Sequence, residues 1–329
     1  MIRQLWQRYQ RECSVALTYL ILLLILAIAT PSFYEGNEFR AILVSSAPIL
    51  VAAVGMTLVI LARQIDISIG SQFSVCAVTA GLLARAGVPM PLVALGTLLT
   101  GAALGALNGA LVAGLELPSI VVTLATLVIL RQGLRWGREG ELVRDLPADF
   151  QWFGLGQGAG QWLVVVLALV IFIAFAWGLR HLAAGRAIYA TGSDPQAAWL
   201  TGIRPRRVVF SVFLVMGALT GLAALLSAVR FPQVDPKNGE GLELQVIAAV
   251  VVGGVAVSGG RGTLVGPLLG VALLGTIRSA LVFLDAELKW GVGPHWEKAI
   301  QGGIILVAVA SDALQWRRKR DVVVSVASR

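Results

Sequence analysis

The sequence predicts an all-α polytopic membrane protein with about ten transmembrane helices, and three observations carry that expectation. Hydrophobic residues fill 57% of the chain and charged ones only 13%, for a mean hydropathy of +0.83. A soluble domain keeps about a quarter of its residues charged to clothe its surface. The apolar residues also gather in runs long enough to cross a bilayer, where a core of about 30 Å takes roughly 20 residues per helix. Almost no water-soluble sequence separates those runs between about 13 and 314.

In chain order the expected spans are 14–31, 41–62, 66–84, 91–114, 118–134, 161–179, 208–228, 244–258, 263–284 and 298–314. The first follows Arg3, Arg8 and Arg11 and resembles a signal peptide, but with nine spans after it an uncleaved helix is expected. The eighth is short and rich in glycine, so a broken span, or one paired with its neighbour, is expected there. The chain 1–329 thus reads as a single transmembrane domain, with short ends at 1–13 and 315–329 and a long loop at 180–207. Ten spans put both termini on one side of the membrane. With the N-terminus inside, the inner segments hold the larger share of Lys and Arg, including Arg180, Arg186, Arg204, Arg206 and Arg207 in the loop and Arg317, Arg318, Lys319 and Arg320 in the tail. Basic residues stay on the cytoplasmic side. Both termini are therefore expected in the cytoplasm and 135–160 in the periplasm, although Arg131, Arg135, Arg138 and Arg144 count on the outer side. The net charge of +8 has the same origin and does not call for a nucleic-acid partner. Cys13 and Cys76 are isolated and read as packing residues without metal or disulfide spacing.

Helix contacts are expected where glycine recurs every four residues: Gly101, Gly105 and Gly109; Gly262, Gly266 and Gly270; and the pair Gly217 and Gly221. Lipid offers no hydrophobic drive for helix association, so small residues that let backbones approach closely do that work.

Three polar constellations interrupt the apolar sequence. In Gly55–Ser71, the residues Arg63, Asp66 and Ser68 lie where the second span gives way to the third; Asp66 is suited to cap the third span or to act at an intracellular gate. In Gly185–Pro205, Asp194 with Pro195 starts a helix and Gly202 before Pro205 stops it. That helix of about seven residues carries Ala197, Ala198, Leu200 and Ile203 into water unless a partner covers them. In Val251–Gly266, the glycines Gly253, Gly254, Gly259, Gly260 and Gly262 make a tight inner turn; without a following Lys-Ser/Thr this is no nucleotide loop. The loose fingerprint Gly154, Gly156, Ala159 follows no strand and is discarded. His181 and His295 fall on opposite sides, no hydrolase or zinc motif is present, and Arg278 is the clear mid-span charge.

The runs Gly55–Ser71, Asn108-Gly109 with Pro118–Thr126, Gly185–Ile203 and Ile247–Gly266 together resemble the permease subunits of bacterial sugar ABC importers, the family of ribose, xylose, arabinose, rhamnose and autoinducer-2 permeases. The resemblance covers about residues 40–314, with the rhamnose branch nearest. Two positions depart from it: Arg63-Gln64 stand before Ile65-Asp66 where many members carry a Gly-Gly pair, and Val255-Ala256-Val257-Ser258 stands where a Thr often follows the glycines. The resemblance implies a type II importer permease fold and a non-catalytic subunit that moves a monosaccharide, rhamnose or a related sugar, across the inner membrane. It implies a second permease subunit, identical or paralogous, cytoplasmic ABC ATPase subunits docked on 180–207 through Asp194, Ala197, Ala198, Leu200, Gly202 and Ile203, and a periplasmic sugar-binding protein. The chain itself is expected to hold no cofactor, ATP being used by the partner, and its surroundings are lipid. Polar groups on apolar spans, namely Asn108, Ser119, Thr123 and Thr126, join Arg63, Asp66 and Ser68 as gate or pathway candidates; the last three of the spans' residues share a helical face. An ion-coupled secondary transporter of a small polar solute is the alternative, and it requires acidic residues at mid-membrane depth. A membrane-embedded enzyme is a third class, for which no catalytic constellation is found.

Overall fold

The computed structural model describes residues 2–34 and 37–288, and beyond them positions 296, 299–300, 302–303 and 306. Eleven α-helices follow one another in the described residues: α1 Ile2–Ala29, α2 Glu38–Leu61, α3 Ile69–Arg85, α4 Met90–Gly109, α5 Ser119–Arg138, α6 Gln157–His181, α7 Ala183–Ser193, α8 Pro195–Leu200, α9 Pro205–Ala228, α10 Leu242–Val252 and α11 Val265–Leu288. A π-helical turn, Ala110–Gly114, prolongs α4. No strand forms among the described residues beyond one bridge, Val143 with Val234.

Seven helices among the described residues are long and apolar enough to cross a membrane: α2, α5, α6, α9, α4 with its extension, Glu12–Ala29 of α1 and Val265–Leu284 of α11. Two further expected spans form shorter helices. The third expected span is α3, which begins only at Ile69 and, at 17 residues, rises about 25 Å. The eighth is α10, whose 11 residues rise only about 16 Å. Gly241 before it and Gly254 after it hold left-handed backbone, φ +88° and +90°, which glycine adopts without the cost a Cβ brings. The run 244–258 therefore folds as a half-helix followed by a turn. The tenth expected span, 298–314, falls almost wholly outside the described residues, as do the tail 315–329 and His295.

Successive helices alternate in direction, so the connections gather at two ends. At one end Thr263 donates to the Glu12 carboxylate (3.0 Å), Arg206 pairs with Glu116, and α7–α8 lie beside the turn 253–264. At the other end Val143 and Val234 exchange backbone bonds of 2.9 and 3.0 Å, and the Trp152 N–H reaches the Val229 carbonyl (2.8 Å). The helix α2 forms the centre, buried continuously from Leu50 to Leu61. Outward faces of α5 and α6 carry exposed Val121, Ile129, Val170 and Ile173, as helices bathed in lipid tails do.

Glycine sets two close helix–helix contacts. A Cβ on Gly101 would strike the Gly217 carbonyl and the Gly221 backbone, and one on Gly105 the Phe213 carbonyl and the Gly217 backbone. The two glycine faces expected from the sequence thus lie against each other, α4 on α9. In the other series, Gly266 abuts Gly253 and Gly270 abuts the Ala249 carbonyl, joining α11 to α10. Gly262 is not part of that helical face: it lies in the turn with φ +142°, against Val255.

Candidate functional site

The chain between α2 and α3 turns at Arg63 and then buries Asp66 and Ser68. Asp66 is fully buried. Its Oδ1 accepts from the Ser68 N–H (2.9 Å) and the Ser68 hydroxyl (2.5 Å), and its Oδ2 from Gln72 Nε2 (3.1 Å). Ser68 Oγ accepts in turn from Gln72 Nε2 (2.7 Å) and Asn108 Nδ2 (2.8 Å). A hydroxyl has one proton and two lone pairs, so Ser68 is saturated. Thr126 Oγ1 lies 2.8 Å from Asn108 Oδ1 and 3.0 Å from the Val122 carbonyl, its one proton shared between them. Below, Ser119 Oγ accepts from the Ile65 N–H (3.3 Å), and Thr123 Oγ1 donates to the Ser119 carbonyl (2.8 Å) and stands 3.4 Å from the Ile65 carbonyl.

Six of the seven gate or pathway candidates therefore gather where α3, α4 and α5 meet: Asp66, Ser68, Asn108 and Thr126 in one buried network, and Ser119 and Thr123 beside it on the Ile65 backbone. Their polar groups face one another. Burial without partners costs several kcal/mol per group, and this network avoids that cost by near-complete pairing. Arg63 stands apart: it is exposed, with φ +63°, and its Cα and Cβ border Gly259. Gln72 escaped the sequence reading, although its place four residues after Ser68 puts both on one helical face.

The 180–207 loop is two helices, not one. In α8 the Asp194 carboxylate accepts from the Gln196 and Ala197 N–H groups (2.9 and 3.0 Å), an N-cap with Pro195 at the first helical position. At its far end the Gly202 N–H reaches the Trp199 carbonyl (2.9 Å) and the Ile203 N–H the Ala198 carbonyl (3.1 Å). With Gly202 at φ +86° this is a Schellman stop. The exposed apolar face is redrawn by the structure: Ala198 is only 3% exposed, turned into its own chain, whereas Leu200 is 78% and Trp199 66% exposed. Ala197 is exposed and Ile203 half-buried.

The helix α7, unforeseen in the sequence, ties this face to the bundle. A Cβ on Gly192 would meet the Leu61 carbonyl and the Gly260 N–H, and one on Gly260 would meet Ser193. The Gly260 N–H itself donates to the Leu61 carbonyl (2.9 Å). Tyr189 donates its hydroxyl proton to the Gly262 carbonyl (2.8 Å), and burial pushes its pKa up, keeping it a donor. The three polar constellations thus converge at one junction of α2, α7 and the glycine turn.

A second polar feature was missed. Arg131 was counted outside the membrane and Arg278 taken as the clear mid-span charge, yet Arg131 lies inside α5 and pairs with Glu243 at 3.1 Å, side chains 24% and 11% exposed. The second Glu243 oxygen, Oε2, has no partner. One turn along, Arg135 pairs with Glu240 at 2.8 Å, and that hydrogen bond holds the Glu240 carboxyl below the usual carboxylate range. The opposite charges are about a hundred residues apart, so no local pattern announces them.

The family described as the branched-chain amino acid transport system / permease component matches residues 39–309. The autoinducer 2 import system permease protein LsrC of Salmonella typhimurium is 36% identical over 301 residues, covering 90% of this chain and 84% of that protein. The protein of the same name from Shigella flexneri is 37% identical over 298 residues, covering 88% and 84%. No solved structure matches.

Proposed function

This chain belongs to the branched-chain transport-system permease family, and from that membership we propose that it is the membrane subunit of an ATP-driven importer for a small sugar-type solute, either autoinducer 2 or a monosaccharide such as rhamnose. Permease components are non-catalytic, so the chain is not an enzyme; ATP hydrolysis belongs to a cytoplasmic partner, and no cofactor is needed here. Residues 1–329 act as one transmembrane permease domain of type II importer fold in the inner membrane, both termini cytoplasmic. Two permease subunits flank the pathway, two ATPases dock below, and a periplasmic binding protein delivers the solute. The names of the relatives support autoinducer 2 as the first solute to test; rhamnose stands on the sequence resemblance alone.

The single observation that carries this reading is α8. A six-residue helix capped at both ends and presenting Trp199 and Leu200 to water exposes apolar surface that a mere connector has no reason to keep. The adjoining α7, in backbone-on-backbone contact with Leu61 and Gly260 through Gly192, gives a stiff route from that face to the Asp66 segment.

The ion-coupled alternative gains one point from the structure, since Asp66 and Glu243 are acids inside the bundle. Each is committed to partners of this chain, and membership in a permease-component family supports the ATP-driven reading over it.

Leu200→Asp and Trp199→Ser test the docking face. Both sites are exposed, so folding changes by about 0.5 kcal/mol or less. ATPase subunit recovered with the tagged chain should fall at least tenfold, and uptake with it. Equal recovery with normal uptake would return the loop to a connector. Ala198→Glu, by contrast, drives a charge into the chain's own interior and disrupts α8 itself.

A further inference from the structure

The helix α6 packs on α2 and α7 and leaves one side open along its length, where Trp162, Val166, Leu169, Val170, Ile173 and Trp177 are exposed. These positions recur every three or four residues and so form a single stripe. A tryptophan closes the stripe at each end, and indole rings settle where lipid meets water. Arg180 follows Trp162 by 18 residues, five turns at about 3.6 residues each. It therefore continues the same stripe at the α8 end. The rise from Trp162 to Arg180 is about 27 Å, close to the roughly 30 Å of a hydrocarbon core.

Two more basic groups gather there. His181 stacks on Trp177 with ring centroids 5.3 Å apart, and Arg186 of α7 donates from Nη1 to the His181 carbonyl (3.2 Å). Arg180, His181 and Arg186 are all exposed. From 157 to 193 the chain holds no acid. The acids described at this end are already engaged: Glu12 accepts from Thr263, Glu116 pairs with Arg206, Asp194 caps α8, and Asp66 is buried in its own network. Among the described residues neither Arg180 nor Arg186 has a carboxylate partner.

We propose that Arg180, His181 and Arg186, beside Trp177, form a site for the headgroup of an anionic phospholipid whose acyl chains lie along the α6 stripe. The inference needs the chain to sit in a membrane and is independent of the solute it carries. Guanidinium groups bind phosphate through paired N–H···O bonds, and basic groups at the cytoplasmic edge of a span attract the anionic lipids of that leaflet. The stripe adds apolar surface continuous with the basic rim, which a free phosphate would not use. A second copy of the chain is the poorer occupant. Copies in one membrane share an orientation, so a two-fold contact through α6 would set one basic rim against the other.

The test is lipid retention by the purified full chain in mild detergent. Phosphatidylglycerol and phosphatidylcholine with the same acyl chains are offered in equal amounts and read by native mass spectrometry. The wild type should keep phosphatidylglycerol at least fivefold over phosphatidylcholine. Arg180→Gln with Arg186→Gln should cut that preference at least threefold. Arg85→Gln with Arg144→Gln removes the same charge from exposed sites at the opposite end and should leave it unchanged. In phosphatidylcholine nanodiscs both double variants should melt with the wild type. Added phosphatidylglycerol should raise the midpoint of the wild type and of the Arg85 and Arg144 variant, but not that of the Arg180 and Arg186 variant. Excess inorganic phosphate should not displace the lipid. Should the Arg180 and Arg186 variant fail to extract intact, Arg180→Gln alone reads the site and should cut the preference at least twofold. Wild-type preference in the Arg180 variants, equal loss in the Arg85 and Arg144 variant, displacement by inorganic phosphate, or a disulfide-linked dimer formed through Val170→Cys would overturn the proposal. Retained preference together with loss of the ATPase subunit from the Arg180 and Arg186 variant would assign these groups to a protein partner and overturn it as well.

Discussion

Replacing Gly217 with leucine should abolish the folded protein in the membrane. A Cβ at this position meets the Gly101 carbonyl and the Gly105 backbone, so the whole side chain must displace a helix. Overpacking a core costs about 1–3 kcal/mol when side chains give way; here the obstacle is backbone on both sides, and the cost lies at or above the top of that range. Since 1.4 kcal/mol is a factor of ten in an equilibrium, a stability of several kcal/mol is largely consumed. The measurement is the amount of monodisperse chain after mild detergent extraction, compared with Gly133→Leu, where nothing lies within 4 Å of the added Cβ. The Gly133 variant should match the wild type. A Gly217→Leu protein that is equally abundant and monodisperse would mean that α4 and α9 do not pack as described.

The next largest effect is expected at Asp66. Alanine there strands the Ser68 N–H and hydroxyl in a buried site, each at about 1–3 kcal/mol, and frees the segment that Ser119 and Thr123 pin through the Ile65 backbone. Uptake should fall to background and the amount of assembled complex several-fold. Asparagine should recover most of both. Its Oδ1 still accepts from Ser68, and Gln72 can turn its amide so that Oε1, now without a partner, accepts from the new Nδ2. If Asp66→Asn is as inert as Asp66→Ala while assembling normally, the carboxylate acts in transport itself and not as a keystone of the network. Thr126→Val removes a single shared hydrogen bond and should cost about 1 kcal/mol.

The contrast between these positions shows what the sequence made legible. The long apolar helices were readable because apolar run length maps directly onto bilayer thickness, and the glycine faces because a four-residue recurrence has one geometric meaning on a helix. The α8 caps were legible as well: Asp194-Pro195 and Gly202 are local signals for a start and a stop. The shortness of the eighth run was legible in its glycines, but the left-handed backbone at Gly241 and Gly254 that bounds α10 was not, since hydropathy does not register it. The gate candidates were chosen by residue type alone, and the pairing of Ser68 with Asn108 was invisible, because they are 40 residues apart and only the packing of α4 on α3 unites them. The same holds for Arg131 and Glu243, 112 residues apart: only Arg131 stood out in the sequence, as a charge on the outer side. Ala198 was assigned to the docking face for its size, and only the path of the chain showed it turned inward with Leu200 outward.

The most direct test of the importer reading is to rebuild the intact complex in proteoliposomes and follow solute uptake with ATP supplied to the ATPase face. Uptake that requires ATP and the binding protein, ceases with a hydrolysis-dead ATPase subunit and persists when proton and sodium gradients are collapsed is the predicted result. Uptake by this chain without an ATPase, driven by an imposed ion gradient and lost when that gradient is dissipated, would contradict it.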